Sequence, residues 1–207
     1  MRKIIEQIYR VFSRLFLRLR LRNKDFTILT DTCIGGVIYH ELGQQFRSPT
    51  INLWFHDKDF YKFVSNLDYY LAQKLQFVEG ISSYPTAYLG DILIHFNHYK
   101  SNEEAESKWE DRKKRINYDN LYLICADRPV EGRQVTHEDM LSLQNIQCKG
   151  KIIFSTRSYP DVPYIIHLPK DPNGDWVNVY MHDKTKILNR WRWMKYFDYV
   201  SWLNNGN

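Results

Sequence analysis

The stretch FTILTDTCIGGVIYHELG, from Phe26 to Gly43, constrains this chain more than any other. Phe26 to Leu29 is short, apolar and closed by a polar turn, the pattern of a buried strand. After Cys33 and the Gly35-Gly36 pair, apolar residues return at helical spacing as far as Gly43, a residue suited to closing a helix. The thiol is thereby expected at the carboxyl end of a strand and the amino end of a helix. Helix amino ends carry unsatisfied N–H groups and partial positive charge, which favour anions and thiolates. Two readings of Gly35 and Gly36 follow. They form a cradle for an anionic ligand beside Asp31 and a reactive Cys33, or they allow close packing beside a small, inert, buried thiol.

Strand-like and helix-like segments alternate from there to the end. Strands are expected at Thr50–Phe55, Tyr88–Phe96, Leu121–Cys125, Ile152–Ser155, Tyr164–Leu168 and Trp176–Met181. Helices are expected at Asp57–Ala72, Ser101–Ile116, Thr136–Ile146 and Trp193–Leu203. Nearly continuous apolar strands between helices predict an α/β fold, a layered αβα arrangement with a largely parallel or mixed sheet. Residues 25–207 read as a single α/β domain, and DPNGD at 171–175 as a turn rather than a linker.

Residues 1–24 read as a separate basic amphipathic helix. Ile4, Ile5, Ile8, Val11, Phe12, Leu15, Phe16 and Leu19 recur at helical spacing, with Arg10, Arg14 and Arg18 on another face. Residues 1–22 carry a net charge of +6 where the whole chain carries +5, so the remainder is close to −1. Nucleic-acid binding by the folded body is therefore not expected. Arginines recur too often for a signal peptide or a spanning helix. Such a helix suits the surface of an anionic membrane, or packing on the body or on a partner. Three cysteines, Cys33, Cys125 and Cys148, odd in number and far apart, fit a reducing, cytoplasmic compartment. No metal or cofactor motif is present.

Polar residues gather where the expected strands run out. Asp31 and Cys33 follow the first strand, His95 and His98 the Tyr88–Phe96 strand, Asp127 and Arg128 the Leu121–Cys125 strand, and Ser155 and Arg157 the next. If these strands are parallel neighbours, all four groups meet on one sheet edge, where open α/β sheets bind ligands. The expectation is that Cys33, one of the two histidines and Arg157 converge on one cleft. A thiol and an imidazole suffice for nucleophilic chemistry, and guanidiniums for an anionic substrate. The alternative for each histidine is a hydrogen-bonded buried imidazole. For Arg157 it is a structural bridge to Asp127 or Asp161. The Ser101 helix opens with a capping box, Ser101 with Glu104. Its stripe of Lys108, Arg112 and Arg115 either grips a phosphate or forms a salt-bridged, solvated face.

TDTCIGG, SPTINLWF, DFYKF, NLDYYL, DILIHFNHYKSNEEAESKWEDRKKRIN, NLYLICADR and KIIFSTRSYP, in that order, give the chain a family likeness over about residues 26 to 203. It resembles the bacterial exopolysaccharide (capsule) biosynthesis family of unknown function. That resemblance implies a cytoplasmic role in making surface polysaccharide, beside glycosyltransferases. The Cys-bearing turn and the arginine-rich helix are also similar, more weakly, to a family of papain-like cysteine peptidases, which implies Cys33 with His95 or His98 as the reacting pair. The reading that results is a transferase acting on an anionic sugar-phosphate or lipid-linked sugar at the cytoplasmic membrane face. Asp31, Gly35, Gly36, Arg112, Arg115, Asp127, Arg128 and Arg157 are its candidate substrate contacts. The alternatives are a non-catalytic accessory protein that docks a glycosyltransferase, and a thiol-dependent hydrolase using Cys33 and a histidine.

Overall fold

The computed structural model of the chain describes residues 2–127, 135–169 and 192–207. Arg128, the 171–175 turn and the expected Trp176–Met181 strand lie outside the described residues. A parallel sheet runs through the centre in the order β1 (Thr27–Thr30), β6 (Leu121–Ala126), β7 (Gly150–Ser155) and β8 (Ile165–His167). All six residues of β6 are buried, which is what a central strand covered on both faces requires.

The strand residues divide with period two between two cores. Ile28, Tyr122, Ile124, Ile152 and Phe154 face a layer built from α1 (Arg2–Arg20), α2 (Ile34–Leu42) and α7 (Tyr199–Asn205), with Trp193 and Trp202 filling it. Leu29, Leu121, Leu123, Cys125 and Ile153 face the opposite layer. That layer holds α3 (Asp57–Ser65), α4 (Leu67–Ala72), α5 (Asn102–Lys113), α6 (His137–Ser142) and a second, antiparallel sheet. Its strands are β2 (Trp54–Phe55), β3 (Leu75–Val78), β4 (Thr86–Leu89) and β5 (Ile92–His95), in the order β2-β5-β4-β3.

Several expected elements are redrawn. The single strand Tyr88–Phe96 is a hairpin: β4 turns at Gly90, which takes φ +64°, and returns as β5. A two-residue Gly-Asp turn between apolar runs is a hairpin signal, since Gly adopts positive φ without strain. Only Trp54–Phe55 of the Thr50–Phe55 strand forms, because Ser48 and Thr50 bond each other and Asn52 sits at φ +63°. The Asp57–Ala72 helix breaks at Asn66, whose φ of −134° is not helical. The Trp193–Leu203 helix is a short 3-10 turn followed by α7, capped by Asp198.

The amphipathic helix forms, with an orientation its periodicity does not specify. Leu17 and Leu21 are buried, and Arg14 makes a two-pronged ion pair with Glu41 of α2. Arg18 donates to the carbonyls of Glu41 and His40. The polar face thus clasps the body, while Ile4, Phe12, Phe16 and Leu19 stand 61–76% exposed. No helix among the described residues is long and apolar enough to cross a membrane.

Candidate functional site

Cys33 stands at the N-cap position of α2, exposed, with φ −70° and ψ −5° and no capping bond from its side chain. The first-turn N–H groups of α2 have no acceptor within the helix, so the thiol sits where partial positive charge is concentrated. His98 belongs to the turn that follows β5, held by the Tyr99 N–H donating to the Phe96 carbonyl. Its Nε2 lies 3.8 Å from Cys33 Sγ. Of the two candidate histidines, the structure gives this pairing to His98. His95, one of the two expected, is buried instead in an aromatic cluster. Its ring stacks on Trp54 at 3.7 Å with 5° between planes, and His56 meets it edge-on. The pair therefore joins the parallel sheet to the antiparallel sheet: β5 does not lie on the parallel-sheet edge where its residues were expected.

One backbone segment meets the neighbours of both members of the pair. The Ile51 carbonyl accepts from Tyr99 Oη at 2.7 Å and from an Arg112 Nη at 2.9 Å. Arg112 also donates to Tyr99 Oη and lies over the Phe46 and Tyr99 rings. On the other side, Ile51 and Asn52 pack on the glycines after Cys33. A Cβ on Gly35 would stand 2.6 Å from the Thr30 methyl and 3.3 Å from Ile51, and one on Gly36 would stand 3.2 Å from Asn52 Oδ1. Both glycines are buried, so close packing of α2 on β1 accounts for them and the anion cradle is not needed.

Two of the expected basic contacts are corrected here. Arg112 is buried rather than presented on a solvent stripe, because its guanidinium satisfies an inward carbonyl and a phenol. Arg115 donates to the Phe46 carbonyl. Each thus has one nitrogen engaged by the fold.

At the carboxyl edge of the parallel sheet, Asp31, Asp127 and Ser155 do come together, with Asp127 opposite Ser155 and Asp31 two positions lower on the ladder. Asp31 is buried and accepts from the Ala126 N–H at 3.0 Å. Asp127 is buried and accepts from Ser155 Oγ at 2.6 Å and from Arg157 Nε at 3.0 Å, with a second Arg157 nitrogen on its other oxygen. This fork holds the Arg157 guanidinium firmly charged. Arg157 thus makes the structural bridge to Asp127 offered as its alternative, and it shares the sheet edge with Cys33. Tyr61 of α3 completes the edge, unforeseen in the sequence. It is fully buried near Cys125, Asp31 and Asp127, and burial together with these neighbours pushes its phenol well above its ordinary value. Its signal was weak, since it stands one position off the Phe60-Phe63-Val64 stripe.

A separate cleft of about 770 Å³ lies between α4 and the turn after α6, lined by residues such as Asn66, Tyr69, Tyr118 and Asn145. None of the expected site residues lines it. No cluster of His, Cys, Asp or Glu among the described residues could hold a metal ion.

The chain is similar to an uncharacterized protein of Haemophilus influenzae, with 35% identity over 199 residues that cover 95% of this chain and 92% of the relative. A family model described as a domain of unknown function matches residues 4–204, so nearly the whole molecule, from α1 through the Cys33–His98 pair to α7, lies within one conserved unit. The chain belongs to that family, DUF1919.

Proposed function

We propose that the chain is a thiol-dependent group-transfer enzyme, with Cys33 as nucleophile and His98 as its base. The observation that carries this is the 3.8 Å contact between Cys33 Sγ and His98 Nε2 at the exposed amino end of α2. His98 takes the thiol proton, and the thiolate attacks the carbonyl carbon of an acyl donor. The leaving group departs with the proton from the imidazolium, and a thioester remains on Cys33. An acceptor hydroxyl or water, deprotonated by His98, then attacks the thioester and releases the thiol. The first acceptor makes the chain a transferase, the second a hydrolase.

Among the described residues, Arg112, Arg115 and Arg157 each bond the fold, so the reading rests on the Cys33–His98 contact rather than on a basic patch. The polysaccharide setting is carried by the sequence resemblance. A cytoplasmic setting is supported by three free cysteines, of which Cys33 is the exposed one.

Alkylation by iodoacetamide, followed site by site by mass spectrometry, tests the proposal. Cys125 is buried, and burial pushes the half-buried Cys148 thiol up, so both serve as internal references. Cys33 is expected to react at least about tenfold faster than Cys148 at neutral pH, and His98→Gln to remove most of that advantage. A Cys33 as slow as a free thiol and indifferent to His98→Gln overturns the proposal in favour of a non-catalytic accessory role.

A further inference from the structure

An amphipathic helix on a globular domain ordinarily turns its apolar face inward. Here α1 does the reverse. Eight apolar side chains between Ile4 and Leu19 are 51–76% exposed, whereas the face that meets the body is held by Arg14, Arg18, Leu17 and Leu21. At about 100° and about 1.5 Å per residue the exposed stripe is about 140° wide and about 24 Å long. Contiguous exposed apolar surface of this size marks an interaction site.

We propose that this face is a docking surface for an anionic lipid bilayer, on which α1 lies flat and holds the domain. Charge selects the occupant. Residues 1–22 carry +6 and stay net positive after Arg14 pairs with Glu41 and Arg20 with Asp198; Arg18 lies on one side of the stripe and Arg20 on the other, with the Arg20 guanidinium over the Phe16 ring at 5.6 Å. Apolar side chains flanked by guanidiniums match the layering of acyl chains beneath anionic headgroups. A second copy of the chain would instead set one net-positive helix against another across the same stripe. The helix cannot span the bilayer, so it lies in the plane of the surface. The clasp to Glu41 keeps the polar face on the body while the apolar face enters the lipid, so docking needs no rearrangement of the domain. This inference stands independently of the Cys33 chemistry.

The test is sedimentation of the full chain with two kinds of vesicle: phosphatidylcholine alone, and phosphatidylcholine with about one third phosphatidylglycerol. The triple variant Phe12→Ser, Phe16→Ser, Leu19→Ser changes exposed side chains and should melt with the parent. The parent is expected to sediment with the anionic vesicles only, less so as salt rises, and the variant to bind about tenfold or more weakly. Failure to sediment, or equal binding by the variant, overturns the proposal. So does a dimer in analytical ultracentrifugation without lipid that the variant converts to monomer, since the stripe then belongs to a second copy.

Discussion

Replacing Arg157 with Met tests whether this guanidinium serves the fold or waits for a ligand. The side chain makes two charge-assisted hydrogen bonds to Asp127, whose own side chain is fully buried while that of Arg157 is 37% exposed. Bonds to charged groups contribute about 1.5–3 kcal/mol each, so two set an upper limit of about 6 kcal/mol. Water reaches the exposed end of the guanidinium and screens it, which lowers the expectation to about 2–3 kcal/mol. Ser155 Oγ remains on Asp127 and limits the loss further. In a chain of this size that corresponds to a fall in Tm of roughly 5–10 °C. Arg157→Lys, which keeps the charge and loses the fork, should lose about half as much. The assay is urea denaturation at pH 7 followed by circular dichroism, with the Asp127→Asn, Arg157→Met double variant closing the cycle. A coupling of about 1–2 kcal/mol is expected. An Arg157→Met protein with unchanged stability would refute the structural role and return Arg157 to the candidate ligand contacts.

Gly35→Ala should destabilise by about 1–2 kcal/mol despite its higher helix propensity, because the new methyl meets the short, rigid Thr30 side chain at 2.6 Å. Gly36→Ala should fall within about 1 kcal/mol of the parent, since its neighbour is the movable end of Asn52; thermal melts of the two variants check both. Tyr61 keeps its proton when folded but loses it near pH 10 when unfolded, so the unfolded state binds fewer protons above that pH and stability falls as pH rises. Tyr61→Phe should flatten that alkaline decline by up to about 1.4 kcal/mol per pH unit, measured by urea melts between pH 9 and 11. Thr136→Ala removes the cap of α6, where Thr136 Oγ1 accepts from the Asp139 N–H, and should cost about 1 kcal/mol in the same assay.

The strands of the central sheet were legible because burial on both faces leaves continuous apolar runs, as in LYLICA, and nothing in such a run competes with the strand reading. The Tyr88–Leu93 stretch was harder. Gly90 and Asp91 reverse the chain, yet the apolar residues on either side read as one strand when the turn is overlooked. β3 escaped notice because Gln76 interrupts it and only Leu75 is fully buried. Cys33 and His98 can be named as candidates from residue type and position at strand ends, but not paired, since they lie 65 residues apart and follow strands of different sheets. Least legible is the destination of charge. The sequence offers Asp127 as a partner for Arg157, yet it does not choose between bridge and ligand, and a carbonyl such as that of Ile51, which takes Arg112, leaves no trace in local spacing. Periodicity likewise marks α1 as two-faced without saying which face turns inward.

The Ile51 carbonyl gives the thiol and the imidazole a common datum. Gly35, two residues from Cys33, packs beside the Ile51 side chain, and Tyr99, adjacent to His98, is pinned to the Ile51 oxygen. The separation of sulfur from nitrogen is thus gauged from a single residue instead of through the docking of two sheets. Small drifts of one sheet against the other need not accumulate in that gap. Arg112, the second donor to the same oxygen, clamps the gauge.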